Sequence, residues 1–182
     1  MNKLIAVIFI LLALSSCISP EARRPVSVKT GSFIDASVAR NKKLNENEKA
    51  AILDVIAQQP DKEYLASESG FWYYYNTKSN IDSLATPNFG DIVNYNYNVK
   101  TLNGKVIYSE QDIKPQRYAM DQAELFTGLR EGLKLMKAGE TVTFLFPSQK
   151  AYGYYGDQDK IGFSTPLMCE VTIQSIIENK FN

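Results

Sequence analysis

A single stretch of helical periodicity, set among strand-like runs, limits most strongly the folds open to this chain. Between Glu124 and Lys137, Leu125, Leu129, Leu133 and Met136 recur at helical spacing, and Gly139 can end the element. Strand-like sequence precedes it. Phe71 to Tyr75 is aromatic, and Asp91 to Leu102 alternates in part through Ile92, Val93, Tyr95, Tyr97 and Val99. Asn103-Gly104 is a hairpin signal joining that run to Lys105–Ser109, and Arg117 to Met120 reads as a further short strand. Two more strands, Thr141 to Phe146 and Leu167 to Ile177, follow the helix. Strands, one crossing helix and strands again predict an α+β domain, a mostly antiparallel sheet wrapped on one short helix.

The start of the chain has another character. Lys3 precedes an almost unbroken apolar run, Leu4 to Leu14, and Leu14-Ser15-Ser16 brings small residues up to Cys17. The run is too short for a span of roughly 20 apolar residues and reads as an export signal over 1–16. Leu14-Ser15-Ser16-Cys17 resembles the bacterial lipobox, which makes Cys17 the expected lipidation site. Residues 17–44 are polar without a sustained period and read as a tether. A short helical extension is expected over 45–69. Asn45 can cap it with Glu48 as the capping-box partner, Ile52, Val55 and Ile56 form one stripe, and Pro60 stops it. The domain proper is expected over 70–182.

Composition narrows the chemistry. Lys plus Arg and Asp plus Glu are both 20, and no basic run is dense enough to neutralise phosphates, so nucleic acid is not an expected partner. There is no His, and the Cys number two, Cys17 and Cys169. That removes most zinc sites, Ser-His and Cys-His nucleophiles, and a disulfide framework. No phosphate loop or dinucleotide fingerprint is present, so no cofactor and no metal is expected.

A series of small motifs runs through the domain in order. Gly90-Asp91-Ile92-Val93 leads to Tyr95 and Tyr97, and Leu102-Asn103-Gly104-Lys105 follows. Gly128-Leu129-Arg130-Glu131-Gly132-Leu133 comes next, then Gly139-Glu140, Phe146-Pro147, Ala151-Tyr152-Gly153 and Pro166-Leu167. In this order and spacing, across about Gly70 to Ile177, they resemble the FK506-binding-protein (FKBP) class of peptidyl-prolyl isomerases. With the lipobox and tether, the whole is similar to the gliding-motility-associated FKBP-type lipoproteins of Bacteroidetes.

The resemblance implies an FKBP-like antiparallel half-barrel with a proline pocket between helix and sheet. It implies catalytic roles for Tyr97 as a wall, for Phe126 through its backbone N–H, and for Tyr152 through its phenol. Leu125 beside Phe126, Leu129 as the floor and Ile161 as the far lip are the implied substrate-binding residues, with Tyr108. Tyr108 falls where the family has a buried Asp, while Gln116 and Cys169 fall where it has aromatics. Leu129 stands where the family commonly has a Trp. The loop Tyr154 to Lys160 is unlike the apolar loop of drug-binding members.

The expected function is a lipid-anchored peptidyl-prolyl cis-trans isomerase in a bacterial cell envelope, facing the periplasm. It would act on proline-containing clients among exported or gliding and secretion-machinery proteins. A binding or chaperone module of the same fold with little turnover is the alternative reading. A structural envelope lipoprotein that forms homodimers through the Asn45–Gln59 helix is the third.

Overall fold

The computed structural model describes residues 31 to 179 apart from 82 and 83. The expected export signal, Cys17 and the first part of the tether lie outside the described residues. The chain divides into two compact units, Met1–Val38 and Ala39–Asn182. Of the first, the described part is helical and exposes Phe33, Ile34 and Val38.

The first helix, α1, runs Gly31–Ala57. It therefore begins well before Asn45, and the stretch from Gly31 to Leu44, expected to be tether, is helical. Periodicity reports burial, and this stretch is exposed along most of its length, so it leaves no apolar stripe. Its Ala36, Ala39, Arg40, Lys42, Lys43 and Leu44 are good helix formers all the same. Asn45 lies inside the helix, and Glu48 is spent on a distant partner rather than on a capping box.

The second unit contains β1 (Leu65–Ala66), β2 (Trp72–Thr77), β3 (Ile92–Tyr97), β4 (Val99–Thr101) and β5 (Val106–Tyr108). A one-turn helix α2 (Glu110–Ile113), β6 (Gln116–Ala119), α3 (Thr127–Leu133), β7 (Thr141–Phe146) and β8 (Leu167–Ile177) complete it. Every pairing is antiparallel, in the order β1-β2-β7-β8-β3-β6, with β4 joining β8 to β5. The α+β half-barrel expected from the sequence is the observed architecture. The hairpin forms at Asn103-Gly104, where Gly104 has φ +83° and donates its N–H to Thr101 O at 2.9 Å.

Strand β8 shows why the pattern was readable: Leu167, Cys169, Val171 and Ile173 alternate into the core with less buried neighbours. Helix α3 is shorter than its periodicity implied, and Met136 is buried beyond its end. Leu129 and Leu133 turn one face to the sheet, and Gly128 and Gly132, also one turn apart, let the helix approach closely. A Cβ on Gly132 would stand 2.9 Å from the Phe144 ring. One on Gly128 would stand 2.6 Å from both Lys150 O and the Phe146 ring. Phe144 and Phe146 of β7 stack at 5.4 Å between centroids, and Phe71 meets both edge-on. This aromatic bed sets the height of α3 above the sheet.

Candidate active site

Of the residues implied by the resemblance, Leu125, Phe126 and Tyr152 meet at one cleft, whose lining does not include Tyr97, Tyr108, Leu129 or Ile161. Tyr97, Leu129 and Ile161 are buried in the core cluster, and Tyr108, Leu125, Phe126 and Tyr152 pack against it half-buried. Phe126 is the N-cap of α3, in extended backbone with no side-chain cap, so its N–H stands ahead of the helical ladder. Its ring lies 5.1 Å from that of Tyr152 and 5.5 Å, edge-on, from Phe146. An open cleft of about 550 Å³ is lined by Ala123, Glu124, Leu125, Phe126, Arg130 and Tyr152. Arg130, which the motif contained but to which no site role was given, is held beside it by Asp121 and Glu131.

The Tyr97 and Tyr152 hydroxyls act on each other electrostatically. Burial, then the neighbouring phenols, pushes the Tyr97 hydroxyl far up. Burial also raises Tyr152, with Cys169 and Asp157 adding to it. Both are neutral hydroxyls at any physiological pH, suited to hydrogen bonding and not to acid–base work. Leu129 is fully buried, so it supports the site from below instead of presenting an open floor. Tyr97 and Ile161 are 8% and 3% exposed, which leaves Leu125, Phe126 and Tyr152 as the accessible walls.

Tyr108 has a different surrounding from the one its place in the motif order implies. Its hydroxyl lies 2.5 Å from Asp157 Oδ2, to which it donates, with Asp159 Oδ2 at 3.1 Å. The Lys160 ammonium stands 4.7 Å from its ring centroid. Asp157 Oδ1 accepts from the N–H groups of Asp159 and Ile161 at 2.9 and 2.8 Å. Burial opposes the Asp157 charge, but these donors outweigh it and hold the carboxyl below its ordinary range. Tyr108 thus ties down the loop carrying Ile161, whose base is closed by Ser164 N–H to Gly153 O at 3.1 Å. Asp157 went unnoticed in the sequence because its partner is 49 residues away.

The other two departures are structural. Gln116 donates to Ile113 O and Lys114 O at 2.9 and 3.2 Å, closing the end of α2. Cys169 is a free, fully buried thiol opposite Phe144 in the β7–β8 register, and burial pushes it far up. Such a thiol packs as a small apolar group. Among the described residues, no group of three or more His, Cys, Asp and Glu could hold a metal ion.

The model of the family "FKBP-type peptidyl-prolyl cis-trans isomerase" matches residues 84–174, half of the chain. The chain belongs to the FKBP-type peptidyl-prolyl cis-trans isomerase family. Relatives of this FKBP-type chain include the peptidyl-prolyl cis-trans isomerase FKBP10 of Mus musculus, 32% identical over 91 residues. A probable FKBP-type isomerase, FkpA, of Neisseria meningitidis serogroup B is 33% identical over 91 residues. Each alignment covers 50% of this chain, but only 16% and 33% of those proteins. Among solved structures, a peptidyl-prolyl cis-trans isomerase from Pseudomonas syringae aligns with TM-score 0.60 at 20% identity, over 75% of this chain and 96% of that one. FkpA from Escherichia coli aligns with TM-score 0.56 at 22% identity, over 97% of this chain and 81% of that one. At such identities the two structures speak to the FKBP fold alone.

Proposed function

We propose that the protein is a peptidyl-prolyl cis-trans isomerase acting on proline-bearing polypeptides at the Phe126–Tyr152 cleft. The observation that carries this is the meeting, within the family-matched segment, of the α3 N-terminus, the Tyr152 phenol and apolar walls at one open cleft. An X-Pro bond resists rotation by ~18–20 kcal/mol because the planar amide is resonance stabilised. Twisting reduces the charge separation, so an aromatic wall that replaces water around the bond favours the twisted form over the planar one. The Phe126 N–H and the Tyr152 hydroxyl hold the chain on either side of the rotating bond. No acid, base, nucleophile or metal takes part in such a step. Acceleration of cis-to-trans exchange in short X-Pro peptides, read by coupled proteolysis, tests the reading.

A binding module with weak turnover has one observation in its favour. Leu129 is wholly covered and Tyr108 is engaged with the loop, so the cleft is shallow and grips a chain without enclosing it. Measured turnover separates the two readings.

We infer further that the chain is a lipoprotein of a bacterial envelope, held through Cys17, and serves exported clients, those of gliding or secretion machinery among them. The apolar run closing on Leu14-Ser15-Ser16-Cys17 supports this. Among the described residues, no helix is long and apolar enough to cross a membrane. Self-association through the Asn45–Gln59 segment, helical as far as Ala57, would use a face other than that of Glu48 and Ile52, which are buried. In a bacterial host fed a labelled fatty acid, the wild-type chain should take up label and Cys17→Ala should not. An unlabelled wild-type chain would contradict the anchor.

A further inference from the structure

Glu48 is a carboxylate that the isomerase site does not use, yet it is only 5% exposed. Its Oε2 accepts the Ser148 backbone N–H at 2.8 Å, and its Oε1 accepts the Ser148 hydroxyl at 2.7 Å. Both oxygens are thus committed to one residue, itself 3% exposed, 100 positions along the chain. Ile52, one turn on and on the same face of α1, is fully buried. This part of the helix lies outside the family-matched segment, which begins at residue 84.

Ser148 opens the 3-10 turn Ser148–Lys150, and Tyr152 stands two residues beyond its end. On its other side the same turn presses on the isomerase helix, because Lys150 O occupies the space a Cβ of Gly128 would need. Gly128 is two residues from Phe126. The turn is therefore wedged between the Glu48 carboxylate and α3, with Tyr152 leaving from one end and Phe126 held through the other contact.

We propose that Glu48 is a positioning residue for the isomerase site, holding the Ser148–Lys150 turn so that Tyr152 and Phe126 face each other across the cleft. The inference rests on the isomerase reading. It makes the second half of α1 part of the catalytic unit instead of a spacer before it. Glutamine would keep both contacts, its carbonyl accepting the Ser148 N–H and its N–H₂ donating to the Ser148 hydroxyl, whereas methionine is of similar size and offers neither oxygen. With methionine in place of Glu48 the turn loses both anchors with little change of volume.

The test uses the full chain with Glu48→Met, Ser148→Ala and their double variant. Two readouts are taken well below each melting temperature: kcat/KM on an X-Pro peptide, and the Tyr152 ring resonances by NMR, assigned through Tyr152→Phe. Glu48→Met should lower kcat/KM about tenfold, within reach of what misplacing an intact site costs, and should shift the Tyr152 resonances. Ser148→Ala keeps the backbone bond and should cost less, and the double variant should lose less than the two losses combined, as coupled neighbours do. A folded Glu48→Met protein with unchanged kcat/KM and unmoved Tyr152 resonances overturns the proposal, even if its melting temperature falls. So does failure of both single variants to fold, which would make the contact a requirement of the whole domain. If the wild-type chain has no turnover, the isomerase reading fails, while the resonance shift still decides whether Glu48 positions Tyr152.

Discussion

Gly128→Ala should lower stability by about 2–3 kcal/mol, the upper part of the range for forcing one extra carbon into a packed interior. For a chain of this size that is a fall of roughly 5–10 °C in melting temperature, measurable by calorimetry or circular dichroism. The added methyl would stand 2.6 Å from Lys150 O, a backbone atom that cannot rotate aside, and equally close to the Phe146 ring. Gly104→Ala makes the contrast. Its Cβ meets nothing within 4 Å, but its φ of +83° is strained for any residue with a side chain. It should cost about 1 kcal/mol, so a larger loss at Gly104 than at Gly128 would contradict this ordering.

Phe126→Ala should lower kcat/KM by about tenfold or more, since it removes a cleft wall and that ring's contacts with Tyr152 and Phe146. Tyr152→Phe keeps the ring against Phe126 and loses only the hydroxyl. It should cost about 1 kcal/mol, or roughly fivefold in rate. The two rings touch, so the double variant should lose less than the summed free energies of the single changes. Equal losses for the two single variants would mean that the ring of Phe126 adds nothing to the site beyond one hydrogen bond.

What the sequence could reveal depended on the distance between partners. Alternation in β8 and the Leu129–Leu133 stripe are local signals of burial, and β8 and the turn at Gly104 formed where expected, while α3 formed over a shorter span. Helix α1 began earlier than read because its first half faces water and carries no stripe. The short α2 was missed for another reason. It is one turn long, held by a capping box between Ser109 and Asp112, and too brief for periodicity to register. Glu48 was assigned to a local cap because its true partner, Ser148, is 100 residues away. Tyr108 was placed in the site by motif order, yet its hydroxyl is committed to Asp157 and Asp159, which no local pattern could disclose. The implied floor at Leu129 is present but covered, because the smaller side chain in the place of a Trp lies wholly beneath its neighbours.

The central claim is that the cleft at Phe126 and Tyr152 turns over prolyl bonds. The most direct measurement is exchange NMR on an Ala-Pro, Leu-Pro or Phe-Pro peptide with catalytic amounts of the folded chain, which reports cis–trans interconversion without a coupling protease. Uncatalysed exchange takes tens to hundreds of seconds, roughly, at 25 °C. The expected result is exchange accelerated in proportion to protein concentration, constant across neutral pH because no titrating group participates, and reduced by Phe126→Ala. Peptide binding with no acceleration by the folded wild-type chain would contradict the claim and leave a module that grips proline-bearing chains without isomerising them.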